Sequence, residues 1–190
     1  PTKPDLWFCY KTNPAISSWQ APEVAKRVAE FPFTVCFAYT PDETNHMADI
    51  LLPDNTDLES LQIIQLGSTK FIENFWKAEG YAIRQPIGDK VVDSMDMTDI
   101  TTEIAKRSGL LKEYNIAINK GAHGVRLRTG QYNYSVDEDR INSCEEIWEQ
   151  SALAASHGLS DGKDIHDLDW FKENGFMKKP YPEEKWFLYP

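Results

Sequence analysis

FTVCFAYTPDETNHMADILLPDNTDLE, residues Phe33 to Glu59, decides the fold. An apolar run from Phe33 to Tyr39 breaks into a polar loop, Thr40-Pro41-Asp42-Glu43-Thr44. A short helix over Glu43 to Ala48 follows, then a strand over Asp49 to Leu52 built on a second apolar run, Ile50-Leu51-Leu52, that stops at Pro53. Continuous apolar runs of this length suit strands of a parallel sheet. The order strand, loop, short helix, strand puts the polar loop at the carboxyl end of a parallel strand, the place where open α/β sheets bind ligands.

Upstream, Leu6-Trp7-Phe8-Cys9-Tyr10 is another continuous apolar run and reads as a strand buried on both faces. Lys11-Thr12-Asn13-Pro14 ends it, because Asn and Pro form turns and Pro cannot donate to a ladder. A helix begins near Ala21 with Pro22 in its first turn, puts Val24, Val28 and Phe31 at helical spacing, and stops at Pro32. Leu6 to Tyr39 is thus one βαβ unit with a right-handed crossover.

Downstream, Asp54 to Gly80 reads as irregular, with Phe71, Phe75 and Trp76 packed. Tyr81 to Ile87 alternates like a half-exposed strand. Asp96 caps a helix with the stripe Met97, Ile100, Ile104 and Ala105, ended by Gly109. A second helix follows through Leu111, Tyr114 and Ile118 to Gly121. Residues 122–142 are polar and loop-like. Ser143 and Glu146 form a capping box for a helix reaching His157, with Gly158 past its end. Asp167 to Asn174 is a short helix closed by Gly175, and Lys178 to Pro190 is an extended aromatic tail. The expected fold class is α/β: three layers, a mainly parallel sheet with flanking helices, and a helical and loop extension. The expected domains are 1–121 and 122–190.

The chain has 190 residues, 41% of them hydrophobic and 12% aromatic, which suits a folded globular protein. Its formal net charge of -10 repels nucleic-acid phosphates and anionic lipid, so neither is an expected partner. No apolar stretch approaches the roughly 20 residues that span a bilayer, so no direct membrane insertion is expected. No signal peptide opens the chain, and it starts on Pro1 without Met, so it is expected to be a piece of a longer polypeptide. Three cysteines without CxxC spacing argue against a disulfide framework or zinc site. Cys9 and Cys36 sit inside apolar runs and read as core residues. The four histidines do not stand at metal-ligand spacing. Around His166, Asp164, Asp167 and Asp169 read as a solvated loop and helix cap rather than a cation site. The sequence carries no GxGxxG, GxxxxGK[ST], GxSxG or HExxH. No catalytic residue and no metal ligand is assigned.

The candidate site is the edge where the loops after the first two strands lie side by side. Lys11, Thr12, Asn13 and Pro14 come from one loop, and Tyr39, Thr40, Asp42, Glu43 and Thr44 from the other. Carboxylates can accept from a guanine edge or a ribose, while Thr, Lys and helix-start N–H groups can take phosphate. Ordinary turn chemistry and helix capping account for the same residues equally well.

These residues resemble the molybdopterin-guanine-dinucleotide oxidoreductases, the dimethyl sulfoxide reductase family. The third domain of that family's large subunit carries an Asn-Pro loop, a Thr-Glu-Thr-x-x-x-Ala-Asp segment, then Val-Leu-Pro and a Glu. Here stand Thr12-Asn13-Pro14, then Asp42-Glu43-Thr44-Asn45-His46-Met47-Ala48-Asp49, Leu51-Leu52-Pro53 and Leu58-Glu59. Arg84-Gln85-Pro86 and the helix through Ile104 and Gly109 are also similar to that domain, so the likeness covers about the first 110 residues. The tail, with Ile147-Trp148, Asp167-Leu168-Asp169-Trp170-Phe171 and Gly175-Phe176-Met177, looks like subunits related to polysulfide, thiosulfate or arsenate reductases, and most like the large subunit of phenylacetyl-CoA:acceptor oxidoreductases. The family's Gly-Thr-Phe-x-Asn segment is replaced by Ser60-Leu61-Gln62-Ile63-Ile64, which argues against the nitrate reductase and formate dehydrogenase branches.

The resemblance implies a fragment of the catalytic subunit of a molybdenum or tungsten oxidoreductase, inactive alone. It would hold one of two molybdopterin guanine dinucleotides with the nine loop residues, in an enzyme of anaerobic electron transfer. The metal ligand, the amino-terminal iron–sulfur cysteines and the carboxy-terminal barrel would lie elsewhere in the parent. Implied partners are the remaining domains of the same large subunit and an iron–sulfur subunit. The compartment stays open between cytoplasm and periplasm, with membrane association only through other subunits. Two further classes remain: a nucleotide- or CoA-binding domain of an unrelated α/β enzyme, and a non-catalytic interaction module presenting Trp186-Phe187-Leu188-Tyr189.

Overall fold

The computed structural model describes residues 4–66 and 78–180. Phe71, Phe75, Trp76 and the aromatic tail from Trp186 to Tyr189 lie outside the described residues. The fold is α/β, with a three-stranded parallel sheet, a three-stranded antiparallel sheet and flanking helices. Contacts divide the chain into two compact units, Pro1–Glu59 with Gly88–Met97, and Ser60–Ile87 with Thr98–Pro190. The expected boundary at residue 121 lies inside the second unit.

In the first unit, β1 (Trp7–Tyr10), α1 (Pro14–Ser17), α2 (Ala21–Val28) and β2 (Thr34–Ala38) form the expected βαβ element. A single 3₁₀ turn, Asn45–Met47, leads to β3 (Ile50–Pro53), which pairs parallel with β2. The strand order is β1-β2-β3, so β2 is central. All but the last residue of β2 are buried, as a central parallel strand requires.

The outer strands differ from the expectation of a fully buried sheet. Register places Phe8, Val35 and Ile50 in one row, and Tyr10, Phe37 and Leu52 in another, all on one face. Val35 and Phe37 are buried, but Phe8, Tyr10, Ile50 and Leu52 are 47%, 39%, 42% and 38% exposed. The opposite face carries Trp7, whose ring stacks on Phe31 at 5.1 Å just past α2. A continuous apolar run therefore marks β1 as a strand, yet it does not tell which of its faces is covered.

In the second unit, β4 (Gln62–Leu66), β5 (Ala78–Arg84) and β6 (Phe176–Pro180) form the antiparallel sheet in the order β4-β5-β6. β4 falls where the sequence reads as irregular. Its five residues make a strand because β5 supplies their ladder partners, from Gln62 opposite Arg84 to Leu66 opposite Gly80. Gly80 is required: a Cβ there would collide with the Met177 carbonyl on β6.

The helices α3 (Met97–Arg107), α4 (Leu111–Asn119), α5 (Cys144–Ser160) and α6 (Leu168–Asn174) follow the sequence reading closely. The Ser143–Glu146 capping box is present, with each side chain bonded to the other residue's backbone N–H. One end differs: α5 continues through Gly158 to Ser160. A helical glycine costs about 1 kcal/mol, but Leu159 is buried and ties the last turn to the core. Residues 122–142 also do more than a surface loop would. They bury Val125, Leu127 and Val136 beside Ile147, Trp148 and Phe171. The loop is held from within by Asn119, whose amide donates to the Val136 carbonyl and accepts from the Val136 N–H.

Candidate functional site

The ends of β1 and β2 bring the two predicted loops into direct contact. Lys11 N–H donates to the Phe37 carbonyl at 3.3 Å, so the ladder continues into the first loop. Asn13 precedes α1, with Pro14 in the first helical position, where its missing N–H is harmless. Asn13 Nδ2 donates to Glu43 Oε2 at 2.7 Å, and Thr44 Oγ1 donates to Asn13 Oδ1 at 2.7 Å. The Thr44 hydroxyl also accepts from the Ala15 N–H at 3.0 Å. Thr44 is fully buried. Three of the predicted residues, Asn13, Glu43 and Thr44, thus form a clasp whose polar groups answer one another. The Asn13 amide holds the Glu43 carboxyl below its ordinary pKa.

The second loop is shaped by a residue the sequence reading did not single out. Asn45 Oδ1 accepts from Asp42 N–H, Asp42 Oδ1 accepts from Asn45 N–H, both at 2.8 Å, and Asn45 Nδ2 donates to the Thr40 carbonyl. The Asp-x-x-Asn spacing, a side chain reaching three residues along a turn, is the signal that could have found it. Asp42 is therefore committed to the turn, while Thr12, Tyr39 and Thr40 are exposed.

Lys11 departs most from expectation. Its backbone is left-handed, φ 45°, a strained setting for a residue with a Cβ. Its ammonium lies 3.4 Å from Asp54 Oδ2 and 3.2 Å from Asp57 Oδ1, and 5.5 Å from the centres of the Tyr10 and Tyr39 rings. Asp54, at the end of β3, is buried. Burial pushes the Asp54 carboxyl above its ordinary pKa, and Lys11 pulls against that rise. Burial lowers the Lys11 pKa, but Tyr10 and the two carboxylates more than offset it, and the net direction is upward. The carboxyl ends of all three parallel strands thus meet around one ammonium whose charge is already matched.

Below the loops, Cys9 and Cys36 are register partners on neighbouring strands and both are buried. Burial raises both thiols, Cys36 to about 12, so neither is a ready nucleophile. An open apolar groove of about 390 Å³ lies against α2, lined by Trp7, Pro14, Trp19, Val24, Arg27 and Phe31. Of the nine predicted residues, only Pro14 lines it. His166 stacks on Trp170 at 3.7 Å and contacts Asp164 at 3.0 Å, while Asp167 caps α6. Among the described residues, no group of three or more His, Cys, Asp or Glu is set to hold a metal, and no helix is long and apolar enough to cross a membrane.

No family model matches the chain, and no curated protein matches it.

Proposed function

We propose that this chain belongs to the catalytic subunit of a molybdenum or tungsten oxidoreductase and holds one pterin guanine dinucleotide at the carboxyl edge of its parallel sheet. One observation carries the reading: the Asn13-Pro14 loop and the Thr40–Thr44 loop, the segments that bear the family resemblance, are clasped side by side there. The residues fit such a ligand in part. Thr12, Tyr39 and Thr40 are exposed at the mouth and suit a base or ribose, whereas Asn13 and Thr44 shape the loops from behind. The bound cofactor would supply the metal-centred redox chemistry, and these residues would hold and orient it. The exposed row Phe8, Tyr10, Ile50 and Leu52 favours a second role as a contact face for other protein, in line with an interaction module.

The test is titration with GMP and with AMP, followed through the backbone amides of Lys11 to Asn13 and Thr40 to Thr44. Shifts with GMP and not with AMP are expected. Shifts with AMP alone would move the chain to an unrelated nucleotide-binding class, and silence with both would leave the contact face as its role.

A further inference from the structure

The Lys11 ammonium is boxed in by four groups from three strand ends: Tyr10 on β1, Tyr39 after β2, and Asp54 and Asp57 after β3. A lysine so placed offers nothing to an incoming phosphate. Its two carboxylates instead repel one. Yet the grip is uneven. Asp54 is buried and has no well-made hydrogen bond to its Oδ2, while the Asp57 side chain is 61% exposed. The contact with Asp54 is charge attraction at 3.4 Å rather than a close donor–acceptor pair. Lys11 itself belongs to the loop that carries Thr12 and Asn13, on a backbone conformation that L-residues hold only when their surroundings impose it.

We propose that Lys11 is a two-position lysine, parked on Asp54 and Asp57 in the free chain and swung to the loop mouth when a phosphate-bearing ligand enters, so that the two carboxylates set the affinity of the site. This rests on the nucleotide reading above and adds its regulation. Parking keeps the buried Asp54 charge matched while the site is empty, and the cost of uncovering that carboxylate when the lysine swings is the threshold a ligand must exceed. It also makes the site selective. A ligand binds only when its phosphate attracts the ammonium more strongly than Asp54 and Asp57 do, so neutral look-alikes such as a nucleoside leave the lysine where it is.

The experiment is a double-mutant cycle with inorganic pyrophosphate as the probe, read by amide shifts in the full chain carrying no change, D57N, K11M or both. D57N weakens the parking place and should tighten pyrophosphate binding several-fold. In the K11M background the same substitution should change nothing. An equal gain in both backgrounds would mean that Asp57 is merely a repelling charge and would overturn the proposal, as would no gain at all. If K11M does not fold, acetylation by a water-soluble ester decides. Pyrophosphate should slow the labelling of Lys11 in D57N and leave exposed Lys26 unchanged, and an unaltered Lys11 rate counts against the swing. GMP shifts at Thr40 to Thr44 without the D57N effect would sink the lysine device and keep the nucleotide reading. The D57N effect without any GMP response would do the reverse.

Discussion

The two units build their cores in opposite ways. The second stacks α5 and α6 on an antiparallel sheet and buries a continuous set that includes Ile63, Leu127, Ile147, Trp148 and Phe171. The first has a parallel sheet, the kind that is ordinarily covered on both faces, yet leaves Phe8, Tyr10, Ile50 and Leu52 more than a third exposed on one of them. Its buried apolar side chains are few: Cys9, Ala15, Val28, Val35, Cys36 and Phe37. Much of what joins its segments is polar instead, in the Asn13–Glu43–Thr44 clasp, the Asp42–Asn45 turn and the Lys11–Asp54 pair. The difference teaches that a small parallel sheet can keep its strand ends in place by polar contacts when apolar burial is thin, and that the same contacts shape its carboxyl edge.

The largest effect should come from the apolar unit. Phe171→Ala removes a fully buried ring from between the helices and the sheet and should cost about 3–5 kcal/mol, measured as a fall in the urea midpoint with an unchanged slope. A cost below about 1 kcal/mol would mean that this core is looser than its burial implies.

Acid should then separate the units. His123 Nε2 lies 2.7 Å from Ser151 Oγ and its ring packs on Trp148 at 5.2 Å, and burial pulls its pKa down to about 4. The unfolded chain takes up a proton near pH 6.5 and the folded chain does not until about pH 4. Stability from this group is therefore complete above pH 6.5 and is lost as pH falls towards 4, by about 3 kcal/mol in all. Urea midpoints across that window should show a shallower acid loss in His123→Gln than in the parent chain, and parallel curves would remove His123 from the account.

A smaller effect tests the polar unit. Thr44→Ala takes away the hydroxyl that accepts from Ala15 N–H and donates to Asn13, leaving buried partners unmet at about 1–2 kcal/mol. Hydrogen exchange should quicken at the amides of β1 and β2 and not along α5, and uniform change across both units would erase the contrast between them. Smallest is Ser143→Ala at the α5 capping box, about 1 kcal/mol, seen as faster exchange confined to the first turn of that helix.

How much was legible follows the same division. The βαβ element, β3 and all of the helices from α3 onward could be read because their signals are local: apolar runs, Pro and Gly stops, a Ser-x-x-Glu cap. β4 could not be read, since Gln62-Ile63-Ile64-Gln65-Leu66 becomes a strand only through β5. Nor could the burial of Val125, Leu127 and Val136, which depends on Asn119 gripping a loop 17 residues away. At the candidate site, Asn13, Glu43 and Thr44 were read as ligand groups, and their contact with one another was not. Lys11 reads as a phosphate ligand from its residue type and its place in the first loop, while Asp54 and Asp57 reach it from the end of another strand.

By itself, then, the sequence determined the βαβ element, β3, the helices from α3 onward and which loops end side by side at the parallel sheet's carboxyl edge, because strand order and crossover in a βαβ element follow from local pattern and chain handedness. Tertiary structure alone decided what those loop residues do. A carboxylate or an ammonium acts on whatever charge lies within a few ångströms, and that neighbour is set by the meeting of strand ends rather than by distance along the chain.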